Sequence, residues 1–197
     1  MKSIGKILFK YRSYTPIPFV VLIILFADPN IYSLIIGFSL SLSGEIIRIW
    51  AVSFAGSETR TTNGVGGTQL VTQGPYSILR NPLYIGNIII YTGFGIMSYS
   101  IFPYLQIFGL LFFIFQYYTI ILNEEEYLQT KFNENFHLYK KYVNRFFPSF
   151  KKIPEEINSN LEFDLKEGIK SERRSIQAFL IISVFILLIF IFQIKIK

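Results

Sequence analysis

Apolar residues in this chain gather into long runs instead of alternating, at Tyr14 to Ala27, Ile31 to Ala55, Pro82 to Met97, Ile101 to Leu122 and Ala178 to Ile194. A helix crossing a bilayer needs roughly 20 such residues, so about five transmembrane helices are predicted. The first and third runs are short, a length compatible with a tilted or partly re-entrant helix. Asp28-Pro29-Asn30 and Ser98-Tyr99-Ser100 are turn sequences that would fold spans one with two and three with four into hairpins.

After Asn123 the period changes. Leu128, Phe132, Phe136, Tyr139 and Val143 recur every three or four residues, with Lys131, Lys140, Lys141 and Arg145 among the polar positions. This predicts a cytoplasmic amphipathic helix that leaves the membrane and stops at Pro148. The polar, Gly-rich segment from Ser57 to Gln69 reads as a loop. Gly64-Val65-Gly66-Gly67 lacks the preceding strand of a phosphate-binding loop, and no strand-helix alternation supports a doubly wound nucleotide fold. The expected architecture is an all-α integral membrane domain over 1–197. It divides into a first hairpin (1–56), a cytoplasmic motif-bearing loop (57–81), a second hairpin (82–122), an amphipathic helix (123–148), a connector (149–177) and a last span (178–194).

Composition agrees with a bilayer setting: 51% of residues are hydrophobic and only 16% charged. The net charge of +6 would suit nucleic acid in a soluble chain, but these Lys and Arg residues flank apolar runs, so membrane lipids with anionic head groups are the expected partner and nucleic acid is not. Basic residues concentrate at the N-terminus, between Ser57 and Arg80, and between Lys131 and Arg174. The positive-inside rule places these in the cytoplasm and the C-terminus on the far side, with Lys195 and Lys197 running against it. Lys2, Lys6, Lys10 and Arg12 precede an apolar run as in a secretory leader, yet no small-x-small cleavage site follows, so a retained first helix is expected. The Ile, Lys, Asn and Phe bias points to a prokaryotic cytoplasmic membrane.

Candidate chemistry is narrowed by what is missing. There is no Cys, and His137 is the single histidine, so thiolate sites, His-dependent triads and a metal centre are not expected. Glu45 lies inside the second span with Arg48 three residues on. They form either an intramembrane functional carboxylate or a mutually neutralised pair. Glu124, Glu125 and Glu126 follow the fourth span directly, where they are a solvated collar unless they face a cation. The stretch from Leu70 to Tyr84 groups turn, polar and aromatic residues at a membrane edge. Gly74-Pro75 forces a turn, Pro82 suits the first turn of a helix, and Tyr84, Asn87 and Tyr91 then share one face. A helix N-terminus with free amides, Arg80 and two Tyr rings suits a ligand carrying carboxylate, amide and aromatic groups. Taken singly, Tyr76 and Tyr84 are ordinary interfacial belt residues.

Together, Leu70-Val71-Thr72, Gly74-Pro75-Tyr76, Arg80-Asn81-Pro82-Leu83-Tyr84 and Glu124-Glu125 with Leu128 resemble the isoprenylcysteine carboxyl methyltransferase and phospholipid methyltransferase family, from about Gly44 to Pro148. The resemblance implies a small helical membrane methyltransferase that binds S-adenosylmethionine outside any Rossmann fold and receives a lipophilic or lipid acceptor from the bilayer. It implies that Thr68, Gln69, Leu70, Val71, Tyr76, Asn81, Pro82, Leu83 and Tyr84 line the cofactor, with Glu124 completing the site. Glu125 would orient an acceptor or take its proton. Methyl transfer is an in-line displacement governed by alignment, so little acid-base machinery is required. Two positions depart from the family pattern. Asn81 stands where a His is frequent, which keeps hydrogen bonding but not proton transfer. Ile120 stands where the prenylcysteine branch has an Arg, which disfavours a prenylated cysteine acceptor. Two other classes fit the same architecture: a sterol-type membrane reductase using NADPH, and a non-enzymatic interaction subunit.

Overall fold

The computed structural model describes residues 2–56, 69–159 and 161–196. Among them, six α-helices follow one another: α1 (Lys2–Tyr11), α2 (Pro16–Leu25), α3 (Ile31–Ala55), α4 (Pro82–Ser98), α5 (Tyr104–Tyr142) and α6 (Leu165–Ile196), with short 3₁₀ turns at Gly74–Ser77 and Glu155–Ile157. The protein is an all-α integral membrane protein. Helices α3, α5 and α6 are each long and apolar enough to cross a membrane, and the α1–α2 pair qualifies if its 55° bend is counted as one broken span. The outward faces of α3 and α6 leave Ile35, Ile36, Leu180, Ile181 and Val184 exposed, as a lipid-facing surface requires.

Three boundaries depart from the hydropathy pattern. The first run is not one helix. Only Pro16–Leu25 is helical within it, about 15 Å of rise, and amphipathic α1 packs separately against α5, where Gly5 meets Asn123. The fourth span and the amphipathic helix are one continuous element through Tyr142, broken only by the positive φ of Asn133; the helix ends before Pro148, at Val143. The second part of the connector is helical, because α6 begins at Leu165 and runs unbroken into the last span.

Helices α3 and α4 form the tightest pair. Gly44 and Gly86 bring the two backbones together, so that a Cβ on Gly44 would sit 2.7 Å from the Gly86 carbonyl oxygen. Close approach through small residues is how helices associate where lipid gives no hydrophobic drive between them. Ser33 and Ser41 hydroxyls seal the contact by donating to the Met97 and Ile90 carbonyls, each at 3.2 Å.

The ends of the bundle are pinned by different residues. At one end the Asp28 amide donates to the Ser98 carbonyl (2.9 Å), the Ser100 hydroxyl to Ile23 (2.7 Å), and the Gln193 amide to Ala27 (3.2 Å). Asn30 caps α3 there, accepting from the amides of Tyr32 and Ser33 while Ser33 reciprocates. At the opposite end lie the motif and the polar connectors. The two hairpin turns and the end of α6 therefore share a side.

Candidate functional site

The motif is built as a strap between α3 and α4. Gly74 adopts a left-handed φ of 58°, and a Cβ there would strike the Phe54 ring at 2.2 Å, so both backbone and space require glycine. Thr72 is buried and ties the strap to the connector, its hydroxyl donating to the Ile157 carbonyl (2.9 Å) and its amide to Ser159 Oγ (3.1 Å). After α5 the chain turns back and forms an isolated parallel bridge between Leu79 and Asn144, with the Arg80 amide donating to Asn144 (3.0 Å) and the Ser149 amide to Ile78 (2.9 Å). The strap is thus held on both sides.

Charge then fixes its floor. Glu125 accepts from Arg80 Nε and Nη2 (3.1 and 2.9 Å) and from Arg145 Nε and Nη2 (3.1 and 2.5 Å). Arg80 also donates to the Val143 carbonyl (2.5 Å). The hydrogen bond to Glu125 holds the Arg145 guanidinium above its ordinary pKa. A carboxylate engaged by two guanidinium groups is buried without an uncompensated charge.

Above this floor lies a cavity of about 1070 Å³. Gln69, Leu70 and Val71 line it from the strap, Tyr76 from the 3₁₀ turn, Asn81 to Tyr84 from the start of α4, and Glu124 and Glu125 from α5. Thr68 lies outside the described residues. Asn81 Nδ2 donates weakly to the Arg145 carbonyl (3.4 Å), which ties the variant position to the bridge segment. The Tyr84 hydroxyl donates to Glu124 Oε1 at 2.5 Å, and its ring stacks on Tyr117 with centroids 4.8 Å apart. Tyr76 is buried and its hydroxyl has no hydrogen-bond partner among the described residues, and burial pushes its pKa above the ordinary tyrosine value. Its carbonyl is held by the Tyr139 hydroxyl at 2.6 Å.

Other residues of the wall lie beyond the motif. Arg12 enters from the break between α1 and α2, and Glu172 and Ser175 from α6. Arg48 directs its hydrogen bonds away from Glu45. Its guanidinium pairs with Glu172 and donates to Asn87 Oδ1 (2.5 Å), while Glu45 accepts from Ser175 at 2.9 Å. A spacing of three residues suggests a local pair, but α6 supplies a better-placed acceptor from 124 positions away. His137 is exposed and does not line the cavity. Ile120 is fully buried in an apolar cluster with Ile88, Phe113 and Tyr117. Among the described residues no three His, Cys, Asp or Glu side chains are grouped to hold a metal ion.

A helical membrane protein with a strap-capped cavity, polar at one end and aromatic along its walls, is what fold and site define. The chain belongs to the phospholipid methyltransferase family, whose model matches residues 32–135. It is similar to the nickel-cobalt-cadmium resistance protein NccN of Alcaligenes xylosoxydans, 35% identical over 101 residues, which cover 51% of this chain and 43% of that protein. It is also similar to the cobalt-zinc-cadmium resistance protein CzcN of Cupriavidus metallidurans, 32% identical over 113 residues, 57% of this chain and 46% of that protein. The chain spans about half the length of the curated relatives it matches. No solved structure matches it.

Proposed function

We propose that this protein is a membrane methyltransferase that binds S-adenosylmethionine at the Tyr84–Glu124 end of the cavity and methylates a lipophilic or lipid acceptor entering from the bilayer. The observation that carries the reading is the meeting of the motif with Glu124 on one cavity wall, in a chain of the phospholipid methyltransferase family. The residues present suit that cofactor. A buried hydroxyl without a partner on Tyr76, a carboxylate on Glu124 and the stacked faces of Tyr84 and Tyr117 match a ligand with an ammonium, ribose hydroxyls, an adenine and a sulfonium.

When bound, the cofactor supplies an electrophilic methyl group, and the protein's task is to hold the two substrates in line. Glu124, oriented by Tyr84, would engage the positive end. Tyr76 would meet a polar edge with its free hydroxyl. Asn81 would position the strap through its bond to the bridge segment, with no proton to move. Glu125 acts at one remove: with both oxygens engaged by Arg80 and Arg145, it is a positioning residue that fixes the floor under the site. The cytoplasmic placement of this end follows from the positive-inside rule.

The relatives' names concern resistance to metals, and a role for this protein in such resistance would run through modification of a membrane component, since the described residues group no metal ligands. Calorimetric titration of purified protein with S-adenosylmethionine and its demethylated product tests the reading. Saturable binding weakened by Glu124→Gln is expected; absence of binding at millimolar ligand overturns it. Binding of NADPH in its place would favour the reductase class, and binding of neither would favour an interaction subunit.

A further inference from the structure

After leaving the membrane along α5, the chain comes back to it. A straight α-helix would carry Tyr142 about 36 Å from Tyr118. The positive φ of 42° at Asn133 breaks α5, and beyond it Phe136, Tyr139 and Val143 pack among Leu128 and Phe132 of the first half. The return reaches Phe146, whose ring stacks on Tyr118 with centroids 6.1 Å apart, while the Arg145 guanidinium lies 5.6 Å from the centroid of the same ring. Tyr118 is 39% exposed on the membrane-crossing part of α5. It lies four residues, about 6 Å of rise, inside the end of the apolar run at Leu122. At this level the next side chain, Phe147, is 77% exposed, and Phe150 is 86% exposed. Their backbone is pinned: Ser149 between them is buried, its amide donating to the Ile78 carbonyl (2.9 Å) and its hydroxyl to the Tyr142 carbonyl (2.5 Å). Lys151 and Lys152 follow, both exposed.

We propose that residues 145–152 form a foot seated in the bilayer, with Phe147 and Phe150 inserted at the head-group boundary of the leaflet on the motif side and Lys151 and Lys152 against anionic lipid phosphates. Two large apolar side chains held out of the protein on a pinned backbone mark an interaction surface. Their level beside Tyr118, continuous with the outer side of a membrane-crossing helix, identifies lipid as what covers them. Aromatic rings favour this boundary, and Lys ammonium groups there meet the negative surface potential of the cytoplasmic leaflet. The nearest acids in sequence, Glu155 and Glu156, belong to a separate 3₁₀ turn whose Ile157 is buried with Phe136, Tyr139 and Val143. The foot also bears on the cavity floor. Arg145 within it pairs with Glu125, and the preceding Asn144 accepts from the Arg80 amide, so lipid contact at Phe147 holds that floor through two adjoining residues. None of this requires a ligand in the cavity, and the proposal is independent of the methyltransferase reading.

The test uses the full-length protein in nanodiscs at one copy per disc, with a single tryptophan as reporter. The chain's one tryptophan is Trp50, so Trp50→Phe is the background for Phe147→Trp, for Phe150→Trp and for Asn135→Trp, an exposed control near the Asn133 break. Phosphatidylcholine brominated close to the head group is expected to quench the Phe147→Trp and Phe150→Trp reporters at least twofold, more than lipid brominated near the chain ends, and to leave Asn135→Trp unquenched. Adding phosphatidylglycerol should lower acrylamide quenching of Phe150→Trp at least twofold, and Lys151→Gln with Lys152→Gln should abolish that response. Lipid quenching of either reporter no greater than the control's would overturn the proposal. So would stronger quenching by bromine near the chain ends, which would put the rings in the hydrocarbon core. Acrylamide protection that appears only at two copies per disc would give the two Phe positions to a second copy and overturn it as well. A phosphatidylglycerol response that survives loss of both Lys side chains would overturn the anionic-lipid contact. Should Trp50→Phe fail to fold, an environment-sensitive fluorophore on Phe147→Cys and on Phe150→Cys reads the same contrast, since the chain has no other cysteine.

Discussion

Tyr84 and Glu124, forty positions apart, meet through a 2.5 Å hydrogen bond that joins the first turn of α4 to α5 across the cavity. The bond couples the strap motif to the acidic end of the membrane-crossing part of α5. A hydrogen bond to a charged acceptor is worth about 1.5–3 kcal/mol. Tyr84→Phe keeps the ring stack on Tyr117 and removes only this bond, so S-adenosylmethionine affinity should fall about tenfold to a hundredfold. The double variant with Glu124→Gln should lose less than the sum of the two, as calorimetric titration of all four proteins would show.

Glu125 should behave differently from its neighbour. Removing its charge leaves Arg80, with a side chain 10% exposed, facing a neutral group. Breaking a buried ion pair on one side costs about 3–5 kcal/mol, so Glu125→Gln is expected to lower the thermal midpoint in detergent strongly. Arg145→Ala should cost less, because Arg145 is 27% exposed and water screens it. Equal midpoints for wild type and Glu125→Gln would contradict the floor assigned to this residue.

Tyr76 separates stability from binding. Its hydroxyl is buried without a partner, so Tyr76→Phe should leave the midpoint unchanged or raise it while weakening cofactor affinity. The pH dependence has a definite sign. Burial raises the folded-state pKa above the ordinary value of about 10, so the stabilisation is complete below that value and is lost as pH rises above it, where the unfolded chain ionises first. Tyr76→Phe should therefore show a shallower loss of midpoint between about pH 10 and pH 11.

Glycines of α3 and α4 should be intolerant in a graded way. A Cβ on Gly37 would lie 2.2 Å from the Met97 amide nitrogen, a backbone atom that cannot give way. At Gly95 the nearest atom is 3.4 Å off and belongs to the flexible Gln106 side chain. Alanine gains about 1 kcal/mol of helix propensity over glycine, so Gly95→Ala should be neutral or stabilising and Gly37→Ala clearly destabilising. Thermal midpoints of the two variants in one detergent would decide.

Legibility in the sequence varied by element. Helix α3 was readable from Ile31 to Ala55 because a long apolar run sits between Asp28-Pro29-Asn30 and a polar, glycine-rich stretch of sequence, and the structure gives the same bounds. Tyr84, Asn87 and Tyr91 could be put on one face from spacing alone. Helix α6 hid its start, since hydropathy detects the bilayer and is blind to a helix carrying Lys166, Glu167, Lys170 and Glu172 outside it. For the same reason the partner of Arg48 was invisible: a pairing across 124 positions leaves no periodic trace, whereas Glu45 at three residues does. The break between α1 and α2 falls just before Pro16, which opens α2 and has no amide proton with which to continue α1, a local signal that hydropathy alone passes over.

The most direct test of methyl transfer is incubation of the purified protein with methyl-labelled S-adenosylmethionine and host lipid extract, followed by mass analysis of whatever gains the label. The account predicts one lipophilic product heavier by a methyl group, lost with Glu124→Gln and Tyr84→Phe. A wild-type protein that binds the donor yet labels nothing in the lipid extract, or labels it equally when Glu124 is neutralised, would contradict it.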